Sequence, residues 1–484
     1  MTNLEEYFQF FRQNTIGNDQ YYQTPDGRKK MIYADWAASG RMYAPIEEKL
    51  LHQFGPFVAN PHTETNVSGK SMTIAYNEAK KIIKNHVGAN EKDILFLEGT
   101  GMTSVIRKIQ RIIGICQQTA KEIDKNNRPV VFITHMEHHS NQTSWEETCA
   151  EVVIVPPNEN GDVCPKILDQ LLDNYKDRRL KLGSFTACSN VTGILTPYHE
   201  MAEVMHKHGG YCFVDFSASA PYVTINMHPK NNQESLDGIF FSPHKFLGGV
   251  GTLGVGLLSK ELYKNEIPDR PGGGTVNWTN PWGGKSYVSN IEEREDGGTP
   301  GFLQTIRIAL AIRLKEQMTV EKIAQQDKKL LDTLLKGLRK NKDIIIFEEN
   351  KIDRLPIVSF YVITIHHQLL VKLLNDFYGI QVRGGCSCAG TYGHYLLSID
   401  KAQSHELTNQ IDRGDLSVKP GWVRISLHPT MTTEEVAYIA SSICDIVEQI
   451  ENYQKNYFYN TKTNSFEHKE EPIPIIKDWL QLDK

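Results

Sequence analysis

The chain has 484 residues, of which 40% are hydrophobic and 23% charged, and its formal net charge is −5. This length predicts two or more domains, and the composition is ordinary for a globular protein. The acidic balance argues against a general nucleic-acid binder, and no apolar run approaches the length of a membrane span. The first residues lack the order of a signal peptide, and the eight scattered cysteines do not form a disulfide framework. We therefore expect a cytoplasmic protein that binds neither nucleic acid nor a membrane.

The first three hundred residues alternate between strand-like and helical runs. A short helix at 2–14, a brief strand at 31–35 and a helix at 70–87 come first. Short apolar runs then follow at 93–97, 129–134, 150–155, 181–187, 211–215 and 238–242, with helical segments at 103–113, 165–175 and 197–209. This alternation predicts an α/β fold with a mostly parallel sheet, in which ligands bind at the carboxyl ends of the strands.

The composition changes at residues 271–284, which are rich in Gly, Pro and Trp. A long helical stretch at about 302–340 follows, and the runs after it predict a smaller α+β domain. The tail after residue 455 mixes aromatic, charged and proline residues, and we expect it to dock on a surface. We predict an N-terminal arm at 1–30 that packs on the small domain, a large domain at 31–301, and a linking helix, small domain and tail at 302–484.

One lysine stands in the apolar and glycine-rich stretch SPHKFLGGVGTLGVGLL, residues 242–258. Lys245 is either a solvated residue of a surface loop or an amine that the fold removes from water. A buried lysine loses its proton easily and becomes a nucleophile that forms Schiff bases with carbonyl compounds such as pyridoxal phosphate (PLP). The stretch alone does not decide between the two interpretations.

Asp215 ends the apolar run YCFVD, thirty residues before Lys245. An aspartate at this place is often a helix cap or a turn residue. It is also suited to hold the pyridinium nitrogen of PLP protonated, which makes the ring an electron sink. Ser242 and His244, which flank the lysine, would then reach the phosphate.

Three further segments follow predicted strands. In LFLEGTGMTS, Thr100 and Gly101 join a strand to a helix, which makes either an anion site or a plain turn. THMEHHSN places three histidines within five residues, but their spacing fits no zinc pattern, so His138 is better suited to stack on a flat ring than to bind metal. Asn190 in TACSNVTG could hydrogen-bond the phenolic oxygen of PLP.

Taken together, these segments resemble the class V aminotransferases of PLP fold type I, and most closely the cysteine desulfurases and selenocysteine lyases. The resemblance covers roughly residues 30–450 and rests on the order of nine motifs. They are YADWAASG, EGTGMTS, THMEHHSN, SNVTGILTP, FVDFSAS, SPHK, DGGTPGF, RGGCSCAG and WVRISL. The resemblance implies a homodimer that uses PLP as cofactor and a small amino acid as substrate.

The resemblance also implies a role for each matching residue. Lys245 would hold PLP covalently, Asp215 would pair with its ring nitrogen, His138 would stack on the ring, and Asn190 would meet the phenolic oxygen. The phosphate would be held by Thr100, Gly101, Ser242 and His244, together with Thr299 from the partner subunit. Arg424 would clamp the substrate carboxylate, Ala38 would lie at the substrate, and Cys388 would be the sulfur nucleophile, with Arg383 or protonated His138 as the cation that activates it.

The chain departs from the desulfurase pattern at four places. Ala218 stands where glutamine is usual, and Gly101 stands where a second threonine is usual. Residues 391–420 separate the cysteine motif from WVRISL, and Cys386 adds a thiol two residues before Cys388. An extended loop would place the two cysteines on one face, whereas a helix beginning at Ser387 would separate them.

We therefore expect a cysteine desulfurase or selenocysteine lyase that yields alanine and a cysteine persulfide, with a sulfur-acceptor protein as a further partner. The alternative is another class V PLP enzyme, namely an aminotransferase, epimerase or β-lyase that does not use the cysteine. A cofactor-free binding protein on the same fold is a third hypothesis, against which the intact Lys245 and Asp215 argue.

Overall fold

The computed structural model describes residues 4–61, 63–116, 123–124, 127–471 and 479–481. The predicted helix at 2–14, the N-terminal arm and the tail each extend over a few residues outside these ranges. Among the described residues, no helix is both long and apolar enough to cross a membrane.

The N-terminal half contains these elements in chain order: α1 Leu4–Gln13, β1 Tyr21–Thr24, β2 Gly27–Lys30, β3 Ile32–Tyr33, α2 Ala44–Lys49, α3 Val67–His86, β4 Asp93–Glu98, α4 Met102–Ile112, β5 Val130–Thr134, α5 His139–Glu146, β6 Glu151–Val155, α6 Pro165–Leu172, β7 Lys181–Thr186, α7 Tyr198–Lys207, β8 Tyr211–Asp215, β9 Gly238–Phe241 and β10 Gly254–Ser259.

The C-terminal half continues with β11 Val276–Thr279, β12 Lys285–Tyr287, α8 Ile291–Arg294, α9 Phe302–Met318, α10 Val320–Leu338, β13 Ile344–Ile346, β14 Ile357–Val362, α11 His367–Tyr378, β15 Ile380–Gln381, β16 Arg383–Gly385, α12 Gly390–Leu396, α13 Lys401–Asp412, β17 Trp422–Ser426, α14 Thr433–Glu448, α15 Ile450–Tyr453, β18 Tyr457–Asn460 and β19 Ser465–His468.

The large sheet has seven strands in the order β4-β10-β9-β8-β7-β5-β6. Its strands pair in parallel except for β10, which runs antiparallel to both β4 and β9. The connection from β9 to β10 contains a single helical turn, Pro243–Lys245, and no crossover α-helix, so β10 returns beside β9 in the opposite direction. The predicted mostly parallel sheet is confirmed, with one antiparallel strand inside it.

Both faces of this sheet are buried, which explains why its strands read as continuous apolar runs. Successive side chains alternate between two cores, so that Phe132 packs on one face and Val131 and Ile133 on the other. The carboxyl ends of β4, β5, β7, β8 and β9 share one edge of the sheet. That edge therefore collects the polar residues that follow these strands.

The second sheet is antiparallel, with the order β13-β14-β17-β16. It packs with helices α10, α11 and α14 around a separate apolar core. Phe8 and Phe11 of α1 belong to this core, and Arg12 forms an ion pair with Glu435 of α14. The long helical stretch is divided into α9 and α10 at Thr319, whose φ is +53°.

The described part of the tail forms the hairpin β18–β19, which packs on α11. Tyr457 donates a hydrogen bond to Asp376 at 2.9 Å, and the rings of Tyr459 and Phe466 contact His366. The described part of the tail is thus docked on helix α11. Residues 472–478 and 482–484 lie outside the described ranges.

Candidate active site

One cavity of about 290 Å³ lies where the predicted site residues meet. Eleven of the twelve line it: Ala38, Thr100, Gly101, His138, Asn190, Asp215, Ser242, His244, Lys245, Cys388 and Arg424. Thr299 is the exception, because it lies in an exposed turn between α8 and α9. The eleven residues come from eight segments of the chain, so the fold rather than local sequence brings them together.

Lys245 ends a single helical turn, Pro243–Lys245, that directly follows β9. Burial of the amine lowers the pKa of Lys245 to about 8, while the nearby Asp215 carboxylate opposes this shift. Arg424 and Arg383 lower the pKa further by charge repulsion. A substantial fraction of Lys245 is therefore a neutral, nucleophilic amine near neutral pH.

Attachment of PLP to the cofactor-free protein should follow the titration of this amine. With a pKa near 8 for Lys245, the neutral fraction rises about fivefold between pH 7 and pH 8 and flattens above pH 9. The growth of visible absorption after mixing with PLP measures the rate. A rate that still climbs tenfold for each pH unit up to pH 10 would mean an unperturbed lysine and would contradict the prediction.

Asp215 lies at the carboxyl end of β8, buried beneath the cavity. One carboxylate oxygen accepts a hydrogen bond from the backbone N–H of Ser217 at 2.8 Å. Burial raises the pKa of Asp215, whereas the contact with Ser217 and the charge of Lys245 lower it. A buried carboxyl group of this kind is strongly stabilised as a carboxylate by a cation placed against it.

The N-terminus of α4 opens on the cavity. Gly101 precedes the helix without a side-chain cap, and the backbone N–H of Met102 donates to Ser242 Oγ at 3.0 Å. His244 Nδ1 lies 2.9 Å from the carbonyl oxygen of Thr100. A helix N-terminus surrounded by hydroxyl and imidazole groups is suited to bind a phosphate.

Gly101 is one of the positions at which the chain departs from the desulfurase pattern, and it lies where a side chain would have little space. A Cβ atom at Gly101 would lie 3.2 Å from both Ser242 Oγ and His244 Cε1. A side chain at this position would therefore crowd the two residues that face the helix N-terminus. The glycine keeps this end of the cavity open.

His135 and His138 of the THMEHHSN segment lie in different surroundings. His135 is buried against the rings of Tyr392 and Tyr395. His138 lines the cavity, and burial together with the charge of Lys245 lowers its pKa to about 3. The ring of His138 is therefore neutral near pH 7 and is not a cation that could activate Cys388. Of the two candidates, Arg383 remains.

Arg424 is a buried residue of the central strand β17, not a surface arginine. Its Nη2 contacts Asp35 Oδ1 at 2.7 Å, and its Nη1 donates to the carbonyl oxygen of Asn190 at 3.1 Å. Arg383, its cross-strand neighbour on β16, contacts the other oxygen of Asp35 at 3.0 Å. Two guanidinium groups thus share one carboxylate, which leaves net positive charge for a substrate carboxylate.

Cys388 lies in a tight turn between β16 and α12, neither in an extended loop nor in a helix. The N–H of Ala389 donates to the carbonyl oxygen of Cys386 at 3.0 Å, and the two central residues, Ser387 and Cys388, have φ of +51° and +55°. Each left-handed residue other than glycine costs roughly 1–2 kcal/mol. Such strain is typical of functional sites, where the surrounding structure holds it.

The two cysteines of this turn differ in their surroundings. Cys388 is exposed and lines the cavity, whereas Cys386 is half-buried and packs against the core of the large sheet. Of the two cysteines of the turn, Cys388 therefore lies beside the residues that surround Lys245.

Sequence analysis did not identify several residues in or behind the cavity, of which Asp35, which pairs with the lining residues Arg424 and Arg383, is the most important. Asp35 belongs to the YADWAASG motif and is the last residue of the predicted strand at 31–35, but nothing local indicates that it pairs with Arg424, 389 residues away. Thr103, Ser140, Thr186, Cys188 and Ser217 also line the cavity. Each of them lies at or just after the carboxyl end of β4, β5, β7 or β8, and this position was the feature of the sequence that could have identified them.

The class-V aminotransferase family model matches residues 32–439. The chain belongs to this family. It is thus a PLP-dependent enzyme, as its sequence predicts. A probable cysteine desulfurase from Halobacterium salinarum is 26% identical over 377 residues, which cover 75% of this chain and 83% of that protein. One from Halalkalibacterium halodurans is 27% identical over 365 residues, which cover 74% and 84%.

Solved cysteine desulfurases share the fold of this class-V aminotransferase chain. The apo structure from Thermococcus onnurineus NA1 has a TM-score of 0.71 at 21% identity and covers 91% of this chain and 98% of its own. That of CsdA from Escherichia coli has a TM-score of 0.65 at 19% identity, with coverages of 86% and 94%. The predicted PLP fold type I is confirmed.

The residues of the cavity fit PLP. Among the described side chains, Ser217 Oγ, Ser387 Oγ and Arg424 Nε are buried at the cavity and have no hydrogen-bond partner within the protein. Polar atoms in this situation require a polar ligand. The helix N-terminus suits the phosphate, Lys245 the aldehyde and Asp215 the ring nitrogen.

Proposed function

We propose that the protein is a cysteine desulfurase or selenocysteine lyase that removes sulfur or selenium from an amino acid and leaves alanine. The observation that carries this proposal is the strained turn that presents Cys388 to the same cavity as Lys245 and Arg424. An aminotransferase needs the lysine and the arginine but has no use for an exposed thiol beside them. The relatives named as cysteine desulfurases support this choice.

Each residue then has a part in the reaction. PLP, when bound, supplies an electron sink for the carbon that bears the substrate amine. Arg424 binds the substrate carboxylate, His138 covers the cofactor ring, and Lys245 moves the proton of that carbon. Cys388 attacks the substrate sulfur, so that an S–S bond forms on the enzyme while the Cβ–S bond breaks. The electron pair of the broken bond stays with the carbon, which gains a proton and leaves as alanine.

The test of this proposal is to incubate the PLP-loaded protein with L-cysteine and with L-selenocysteine under reducing conditions. Alanine together with sulfide or selenide is the expected product pair. A keto acid that retains the sulfur or selenium would instead identify an aminotransferase. An inverted amino acid would identify an epimerase, and pyruvate would identify a β-lyase. The ratio of kcat/KM for the two substrates assigns the physiological one.

Arg424→Lys should raise the KM for L-cysteine by roughly tenfold to fiftyfold and change kcat much less, because lysine lacks the fork that grips a carboxylate. Arg354→Lys is the matched control. Arg354 is also buried, but it donates only to the backbone carbonyls of Thr192, Phe347 and Glu348 and does not line the cavity. An unchanged KM in Arg424→Lys would remove Arg424 from the substrate site.

We also propose a cytoplasmic homodimer in which Thr299 of each subunit reaches the phosphate of the other. The hairpin β11–β12 belongs to the same segment as Thr299. Two of its tryptophans are exposed, Trp278 to 53% and Trp282 to 88% of their surface. Large exposed aromatic side chains favour contact with another protein surface. The trapped sulfur would pass to a sulfur-acceptor protein.

Light scattering should therefore give twice the chain mass for the purified protein. Trp278→Ser combined with Trp282→Ser should weaken the dimer and lower PLP occupancy at dilute concentration, since each site would lose the other subunit's contribution. An active, PLP-loaded monomer at dilute concentration would contradict the proposal.

A further inference from the structure

The turn that carries Cys388 is held from outside by contacts with two other segments. Asn190 Nδ2 donates to the carbonyl oxygen of Ser387 at 2.7 Å. The backbone N–H of His139 donates to the carbonyl oxygen of Cys388, also at 2.7 Å. Both carbonyls of the strained residues are thus bound by groups that follow strands β5 and β7 of the large sheet.

The ring of His139 makes a third contact, on the far side of the turn. The N–H of Gly390, the first residue of α12, donates to His139 Nε2 at 2.9 Å. His139 is therefore bonded to the residues on both sides of Ala389, through its backbone at Cys388 and through its ring at Gly390. Burial and the charge of Lys419 lower the pKa of His139, which favours the neutral ring. The N–H that Gly390 donates to Nε2 selects the tautomer with its proton on Nδ1.

We propose that His139 is a positioning residue that fixes Cys388 for attack on the substrate. Without outside contacts, Ser387 and Cys388 would leave the left-handed conformation that L residues disfavour. The His139 ring links the start of α12 to α5 through its hydrogen bond with Gly390. This hydrogen bond keeps Ser387 and Cys388 in the left-handed conformation. The thiol thereby keeps one place at the cavity, which matters because a displacement of about 1 Å can cost a hundredfold in rate.

If His139 only docked α12 on α5, its hydrogen bond to Gly390 would be equivalent to a second hydrogen bond between the same helices. The other is the hydrogen bond from Thr391 Oγ1 to Gln142 Oε1 at 2.8 Å, one helical turn further along α5. Gln142 joins the same helices but does not touch the turn. The variant Gln142→Ala therefore separates the docking of α12 from the positioning of Cys388.

The proposal rests on Cys388 being the nucleophile, and its test uses three variants of the PLP-loaded enzyme. In His139→Leu, single-turnover formation of the Cys388 persulfide, trapped by iodoacetamide and measured by mass spectrometry, should fall roughly tenfold to a hundredfold. The KM for cysteine and the affinity for PLP should change by no more than about twofold. His139→Gln keeps an acceptor near the position of Nε2 and should stay within about threefold of the wild type, as should Gln142→Ala.

Amide hydrogen exchange of residues 386–392 in the PLP-free protein gives a readout that is independent of activity. Exchange at Gly390 should be about tenfold or more faster in His139→Leu than in wild type, His139→Gln or Gln142→Ala. If His139→Leu does not fold, Gly390→Ala tests the same contact, because its Cβ would lie 3.1 Å from His139 Nε2. It should give a smaller loss of the same kind.

Three outcomes would overturn the proposal: wild-type persulfide formation in His139→Leu, an equal loss in His139→Gln, or an equal loss in Gln142→Ala. A wild-type enzyme that forms no persulfide from cysteine or selenocysteine would instead refute the proposed function. The exchange rates at Gly390 would still report on the contact between His139 and α12, so the two failures are distinguishable.

Discussion

Replacing Lys245 with alanine is expected to abolish the visible absorption of bound PLP and to reduce turnover by about a thousandfold or more. Lys245 is the lysine that lines the cavity, and its lowered pKa makes it a nucleophile near neutral pH. Its loss removes both the covalent link to the cofactor and the group that moves the substrate proton. Absorption spectra and alanine production measure the two effects separately.

Lys315 provides a demanding control for this prediction. Burial lowers the pKa of Lys315 to about 7. More of Lys315 than of Lys245 is therefore neutral amine near pH 7, so the pKa alone would make Lys315 the better nucleophile of the two. Its amine, however, lies outside the cavity and donates to the carbonyl oxygen of Ala220 at 2.6 Å. Lys315→Met should therefore keep PLP attachment even if it lowers stability.

Borohydride reduction followed by peptide mapping locates the link directly. The PLP-bearing peptide should contain Lys245 in the wild type and disappear in Lys245→Ala. An adduct on Lys315, or an unchanged adduct in Lys245→Ala, would contradict the prediction. Either result would show that the low pKa of a lysine matters more here than its position in the cavity.

The alternation of apolar runs predicts the sheet and the edge of the sheet at which the residues that follow its strands gather. Asp215, Lys245 and Asn190 each follow a strand of the same sheet, and parallel strands bring such residues to one edge. Strand β10 was not predicted, because a glycine-rich apolar run after β9 has no periodicity that indicates its direction. This strand brings Gly254 so close to Gly101 that a Cβ there would lie 2.2 Å from the Gly101 carbonyl oxygen.

The parts of the site that sequence could not provide depend on contacts between distant segments. Asp35 reaches Arg424 and Arg383 because β3 pairs with β15 next to the small sheet, and no local pattern encodes that pairing. The same holds for the turn at Cys388. Local rules offered an extended loop or a helix, whereas contacts from Asn190 and His139 hold a left-handed turn that the local sequence disfavours.

Cys388→Ser should lower the release of sulfide and alanine from cysteine by about a thousandfold, because a hydroxyl group cannot form a persulfide. PLP binding and the spectral change on adding cysteine should remain, since Lys245, Asp215 and Arg424 are untouched. The loss would then be confined to the sulfur-transfer step. Excess reductant is needed so that release of sulfide does not limit the assay.

Cys386→Ser is the matched variant, since it removes the other thiol of the same turn. Cys386 packs against the core and does not line the cavity, so most of the activity should remain. Mass spectrometry of the trapped enzyme should place the additional sulfur on Cys388 in both the wild type and Cys386→Ser. Near-normal alanine production by Cys388→Ser would refute the desulfurase mechanism, because alanine would then form without the Cys388 thiol. Activity that vanished only with Cys386 would keep the function but move the nucleophile two residues towards β16, and the turn would then have to open during catalysis for the Cys386 thiol to reach the substrate.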